Sequence, residues 1–134
     1  MYIVDSNQRT GYWTGGESNR FLKVLLSPFL QKGVEGVTVG MVIIPPGSSS
    51  NLHSHDRAQE IWYVIEGEGL FEAGESRGTA GPGDIVFGPP SIPHRILNPS
   101  IDKVLKALWI LCPNGDEEAT LKEIEKAMGK AGDS

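Results

Sequence analysis

The stretch GSSSNLHSHDRAQEIWYVIEG, residues 47–67, contains two of the chain's three histidines, one residue apart, and a glutamate five residues after the second. Residues i and i+2 of an extended strand project from the same face, so His53 and His55 are predicted to direct their imidazoles towards one point. Glu60 has the wrong parity to join them on one straight strand. A turn over residues 56–59 would let Glu60 open the next strand and face the pair.

The third histidine, His94, opens the run HRILN after a proline and is the remaining candidate for the same cluster. Three neutral imidazoles and one carboxylate suit a divalent ion such as Fe, Mn, Co, Ni, Cu or Zn. The spacing alone leaves a second interpretation open, because a histidine in a strand is usually a surface residue or a hydrogen-bonded core residue.

Length and composition indicate one domain with one hydrophobic core in the 134 residues. The 17 acidic and 12 basic residues give a net charge of −5, so we expect neither nucleic acid nor an anionic membrane as the main partner. Cys112 is the only cysteine, which excludes an intramolecular disulfide and predicts a reducing, cytoplasmic setting. The first residues lack a secretory signal, and no apolar stretch approaches the roughly 20 residues of a membrane helix.

Short strands separated by turns account for most of the chain, since 17 glycines and 9 prolines divide it into runs rich in β-branched and aromatic residues. Such a pattern is typical of an all-β sandwich or barrel. A doubly wound α/β fold would need long helical segments between the strands, and the sequence has none. The predicted strands cover residues 20–27, 37–44, 61–66, 84–88, 94–98 and 104–112.

One α-helix is predicted near the C-terminus, over residues 117–128. Asp116 is positioned to cap its start, and Gly129 to end it. Its apolar stripe at i, i+3 and i+7 consists of Leu121, Ile124 and Met128.

Two spaced motifs in this chain resemble those of the cupin family. The first, G-x5-H-x-H-x4-E-x6-G, is matched over residues 47–67, where the two histidines and the glutamate stand at the specified positions. The second, G-x5-P-x-G-x2-H-x3-N, runs from Gly83 to Asn98 with His94 in place. Ser91 stands where the family usually has glycine, which puts the geometry of that turn in question rather than the ligand set.

The resemblance implies a single jelly-roll-type β-barrel with a short C-terminal α-helix. Residues 1–134 would form one cupin domain. Residues 1–36 would be an N-terminal arm with the first strands, residues 37–112 the conserved barrel, and residues 113–134 the helix and tail. Glycines 47, 67 and 83 would then occupy turns that need positive φ or close backbone approach.

The resemblance also implies one divalent transition metal inside the barrel. The residues carried over as its ligands are His53, His55, Glu60 and His94. Trp62, Val64 and Ile96 are predicted to line the surrounding pocket, although Trp62 has an equal interpretation as an ordinary core residue.

Three classes of function remain open on this basis. The first is a metal-dependent enzyme of the dioxygenase, isomerase or lyase type that acts on a small polar or sugar-like substrate, and the complete ligand set favours it. The second is a non-catalytic small-ligand-binding or sensor cupin. The third is a metal-free storage cupin, a type that commonly lacks ligands.

A homodimer is predicted because the apolar runs 20–27 and 104–112 have large residues of both parities, and a small barrel buries only one face by itself. Lys106 interrupts the second run. We expect it to face outward, since an unpaired charge inside the barrel would be costly, whereas an inward orientation would offer a partner to an anionic substrate.

Overall fold

The computed structural model describes the backbone of residues 1–132 and the side chains of residues 1–129. The described chain is mainly β-structure, as predicted, with nine strands and one α-helix. No helix in this part of the chain has the length and apolarity required to cross a bilayer. The elements, in chain order, are a 3₁₀ turn at Ser6–Gln8, β1 (Tyr12–Trp13), β2 (Phe21–Leu26), β3 (Thr38–Ile44), β4 (Gln59–Glu66), β5 (Gly69–Ala73), β6 (Ser76–Ala80), β7 (Ile85–Gly88), β8 (His94–Leu97), β9 (Leu105–Cys112) and α1 (Glu117–Gly132).

The strands form two antiparallel sheets that pack against each other as a jelly roll. The larger sheet has six strands in the order β1-β2-β3-β9-β4-β7, and the smaller has three in the order β6-β5-β8. Continuous pairing does not close the two sheets into one barrel. Instead, the extended segment before β4 runs along β8 and makes two isolated bridges, Ser49 with Leu97 and His53 with His94.

Alternation along β9 shows how the core forms. Every second residue is buried, and the residues between them are only half-buried on the outer face. Lys106 belongs to this outer set, as predicted.

Gly40 of β3 lies opposite Trp109, and a Cβ at that position would stand 2.0 Å from the indole ring, so only glycine admits the tryptophan. The side chains that meet between the sheets include Leu105, Ala107, Trp109 and Leu111 from β9 and Phe71, Ala80 and Ile96 from the smaller sheet.

All six predicted strands are present, but three others were missed. Strand β1 has only two residues. Strands β5 and β6 form a tight hairpin in which Ala73 pairs with Ser76, leaving Gly74 and Glu75 as a two-residue loop. Four of the five residues of β6 are exposed, because it is the edge strand of the small sheet. An edge strand of this kind has no apolar alternation from which it can be recognised.

The helix begins where it was predicted but continues to Gly132, so the expectation that Gly129 ends it is wrong. A glycine within a helix costs about 1 kcal/mol relative to alanine but does not break it. Packing outweighs that cost here: Ile124 is buried and Leu121 contacts the core.

Glu117 fastens the start of the helix to the larger sheet. Its carboxylate is buried and accepts hydrogen bonds from Ser27 Oγ, at 2.6 Å, and from the backbone N–H of Gly115. Burial opposes ionisation of this carboxyl, but the hydrogen bonds outweigh burial and hold the pKa of Glu117 below its ordinary value. The helix is therefore attached through an ionised, buried carboxylate, and Glu117 also lines a cavity between the sheets.

Candidate metal centre

The four residues proposed as ligands converge on one point. One ligand atom from each of them lies within 4.8 Å of all the others. His53 and His94 are held side by side by two backbone hydrogen bonds, of 3.1 and 2.8 Å, that form their isolated bridge. His53 and His55 lie on an extended segment rather than in a regular strand, and Glu60 projects from β4 in the opposite sheet. The site is therefore formed where the two sheets meet at one end.

Three of the six distances between the ligand atoms match the edges of a coordination shell. Glu60 Oε1 lies 2.9 Å from His55 Nε2 and 3.1 Å from His94 Nε2. His53 Nε2 and His94 Nε2 are 3.2 Å apart. Neighbouring ligands that each lie about 2.1 Å from a metal in an octahedral arrangement are roughly 3.0 Å apart. The donor set thus fits a transition-metal ion in both type and spacing.

Hydrogen bonds from the far side of two rings fix which nitrogen faces the cluster. His53 Nδ1 donates to the carbonyl oxygen of Asn51 at 2.9 Å, and His55 Nδ1 donates to Asp116 Oδ2 at 2.7 Å. Both rings therefore carry a proton on Nδ1, so that Nε2 presents a lone pair to the centre once the proton that His55 Nε2 shares with Glu60 is lost. Lone pairs held this close repel one another unless a cation or a shared proton lies between them.

The electrostatics favour a neutral imidazole beside an ionised carboxylate. Burial lowers the pKa of His53 and keeps it neutral at physiological pH. Burial opposes ionisation of Glu60, but hydrogen bonds from His55 and His94 outweigh it and lower the pKa of Glu60. The hydrogen bond to Glu60 in turn raises the pKa of His55. With its proton removed, each of the four groups can act as a metal ligand.

Ser91, the residue that departs from the cupin motif, adopts the backbone conformation that glycine favours. Its φ is +65°, in the left-handed region. Its N–H donates to the carbonyl of His55 at 2.8 Å, and its hydroxyl donates to the carbonyl of Asp56 at 3.1 Å. The turn before His94 is therefore retained despite the substitution, and these hydrogen bonds connect it to the segment that carries His55.

The cluster lies at the base of an open cavity of about 240 Å³. A cavity of this size suits a small ligand. Of the predicted pocket residues, Trp62 and Ile96 line the cavity. Trp62 also packs edge-on against His94, with ring centroids 4.9 Å apart. Val64 is fully buried in the core and is not among the described lining residues. Contact of Trp62 or Ile96 with a substrate stays a prediction.

Several polar residues of the site were not predicted as such, and Arg20 and Asp116 carry charge. Arg20 lines the cavity from the position immediately before β2, and Asp116, which was expected to cap the helix, contacts His55. In sequence Arg20 is simply a charge before an apolar run, and no local pattern indicates its role. Asp116 stands just before a helix, where an acidic residue predicts an N-cap. Only the tertiary fold brings its side chain to His55.

The fold and this three-histidine, one-glutamate cluster define a jelly-roll β-sandwich of a known type with a candidate metal site. The cupin domain family model Cupin_2 matches residues 40–111, which include the whole cluster. The chain belongs to the cupin family, as its two motifs predicted.

Comparisons with individual proteins agree with this assignment. The chain is 36% identical over 77 residues to the uncharacterized protein MJ1618 of Methanocaldococcus jannaschii, covering 58% of this chain and 61% of that protein. It is 38% identical over 55 residues to the oxalate-binding protein of Thermotoga maritima, covering 41% and 46%. The matches thus span less than two thirds of the length of either relative. The crystal structure of a predicted oxalate decarboxylase from Thermotoga maritima superimposes with a TM-score of 0.74 at 26% identity, covering 84% of this chain and 100% of that one.

Proposed function

We propose that the chain binds one divalent transition metal through His53, His55, Glu60 and His94. The observation that carries this proposal is the arrangement of three Nε2 atoms and one carboxylate oxygen within 4.8 Å of one another. The hydrogen bonds to Asn51 and Asp116 support it, because they orient two of the lone pairs inward.

We further propose that the site is catalytic and acts on a small polar substrate. Four protein ligands leave positions of a six-coordinate ion for exchangeable ligands, where the bound ion would act as a Lewis acid on substrate oxygen atoms. Trp62 and Ile96 form part of a wall that limits water at these positions, and the cavity volume restricts the substrate to a small molecule. Reactions of the dioxygenase, isomerase or lyase type on a small acid or sugar-like substrate are compatible with this site.

A non-catalytic binding protein is the second candidate. The relative named as an oxalate-binding protein, at 38% identity over 55 residues, favours it. Binding without turnover needs the same ligands and the same cavity. The two candidates differ in whether a bound small acid is released unchanged, which mass spectrometry after prolonged incubation with the metal-loaded protein would detect.

Elemental analysis of protein purified without added metal tests metal binding. We expect close to one transition-metal ion per chain, and at least a tenfold loss of metal retention in His94→Ala. Lys106→Ala is the matched control, because Lys106 lies on the outer face of β9. A wild-type protein that retains no metal and shows no heat of binding with Mn²⁺, Co²⁺ or Zn²⁺ would refute the proposal.

We also propose that the protein is a cytoplasmic homodimer. Cys112 is free, which suits a reducing setting. Exposed apolar side chains cluster on the outer faces of β4 and β7. Tyr63 of β4 pairs with Ile85 of β7, and Phe87 lies two residues further along β7. Their side chains are 41%, 70% and 55% exposed, respectively. The apolar strand β9, which pairs with β4, extends the same face. A second copy of the chain covering this face would remove the apolar surface from water.

A further inference from the structure

Arg20 is the only arginine or lysine among the described residues that line the metal cavity. It lies immediately before β2 and is half-buried. Its guanidinium donates to the carbonyl of Ser18 at 3.1 Å and to Asn51 Oδ1 at 2.9 Å. Its own backbone is fixed by two hydrogen bonds to Thr14. The side chain is therefore held in place by neutral partners.

Arg20 forms no ion pair within 4.0 Å in the described part of the chain, and the Glu60 carboxylate acts on its charge only from a longer distance. The three carboxylates that line the cavity are engaged elsewhere: Glu60 and Asp116 with His55, and Glu117 with Ser27. A half-buried cation without a directly bonded counterion is costly, and an anion entering the cavity would offset that cost. Burial lowers the pKa of Arg20, but a guanidinium keeps its charge at neutral pH.

Asn51 couples this cation to the metal cluster. Its side-chain oxygen accepts from Arg20, and its backbone carbonyl accepts from His53 Nδ1. One residue thus fixes Arg20 relative to a metal ligand. The remaining wall of the cavity is largely apolar, with Leu22 and Val42 near Arg20 in the sheet. The metal position and the guanidinium are then the two places in the cavity where an anionic ligand finds positive charge.

We propose that the ligand of this cavity is a small chelating carboxylic acid, such as a dicarboxylate or a 2-oxo acid, and that Arg20 binds its carboxylate while the acid occupies the open metal positions. This inference rests on the proposed metal site and names the substrate class of that site. A neutral sugar would leave the guanidinium without a directly bonded counterion. The planar fork of arginine can donate two parallel hydrogen bonds to one carboxylate, which an ammonium cannot do.

Calorimetric titration of the Mn²⁺-loaded protein with oxalate tests the inference. We expect Arg20→Gln to weaken oxalate binding by roughly 10-fold to 100-fold, the usual loss for a charged hydrogen bond, and Arg20→Lys to recover only part of it. The control Arg57→Gln makes the same change of net charge at an exposed position outside the cavity, and it should change oxalate affinity less than threefold. Metal content of each variant is measured first, so that a loss of metal is not mistaken for a loss of acid binding.

A second probe separates the two proposals. Nitric oxide is neutral and needs only an open position on Fe²⁺, so the iron–nitrosyl spectrum should be equally strong in wild type and Arg20→Gln. Equal oxalate affinity in wild type and Arg20→Gln, with metal and nitric oxide bound in both, would overturn the inference and leave the metal site intact. Failure of the Mn²⁺-loaded wild type to bind oxalate, pyruvate or 2-oxoglutarate would also overturn it. Failure of the wild type to bind metal would instead reject the proposed function.

Discussion

Replacing Asp116 with alanine should weaken metal binding although Asp116 is not one of the four ligands. Its carboxylate accepts the Nδ1 proton of His55 at 2.7 Å, which orients the ring and makes Nε2 a better donor. Removing a hydrogen-bond partner of this kind typically costs 10-fold to 100-fold in metal affinity. The side chain of Asp116 is 49% exposed, so solvent screens its charge, and we expect the lower end of that range. The expected loss is about tenfold, or about 1.4 kcal/mol.

Competition with a chromophoric chelator for Co²⁺ or Zn²⁺ measures this effect directly. Asp116→Asn should fall between wild type and Asp116→Ala, because the amide oxygen can accept the same proton without the negative charge. Asp56→Ala is the matched control, since it removes one carboxylate at an exposed position one residue from His55. If Asp116→Ala and Asp56→Ala bind metal equally well, the contact with His55 has no part in holding the ion, and the reasoning fails.

Three further changes test the turn, the helix anchor and the proposed interface. Ser91→Ala should be about 1 kcal/mol less stable to urea than Ser91→Gly, because alanine keeps a Cβ in left-handed backbone; equal stabilities would contradict this. Because the pKa of Glu117 lies below the ordinary 4.5, its ionised form stabilises the fold above that pH and the contribution is lost as the pH falls through the folded pKa. Glu117→Gln should therefore be destabilised by roughly 1–3 kcal/mol at pH 7 and progressively less under acid, and a loss that does not change with pH would count against it. Phe87→Lys should sediment as a 14.5 kDa monomer at concentrations where the wild type is a dimer, and a monomeric wild type would reject the interface.

The sequence alone was sufficient for the class of fold and for the identity of the candidate ligands. Both depend on local patterns: short apolar runs ended by glycine and proline predict strands, and two spaced motifs identify the cupin family. The positive φ values of Gly47, Gly67 and Gly83 follow from the same motifs. Such features need only neighbours in the chain, so they can be read without knowing how distant segments pack.

Those local patterns did not predict strand β6 or the end of the helix. The edge strand β6 is stabilised by hydrogen bonds to β5 and not by burial, so its sequence carries no apolar alternation. A glycine such as Gly129 commonly ends a helix. Here the helix continues to Gly132, because the burial of Ile124 stabilises it. In both places tertiary contacts outweigh a local preference of about 1 kcal/mol or less.

Only the tertiary structure decided which groups surround the four ligands. Asp116 reaches His55 across 61 residues of chain, and Arg20 reaches Asn51 across 31. Neither pairing leaves a periodicity or a spacing in the sequence, because each depends on how the sheets and the helix pack rather than on chain direction. The candidate ligands could be named from local spacing, whereas the positions of Arg20 and Asp116 beside them are set by contacts between segments far apart in the chain.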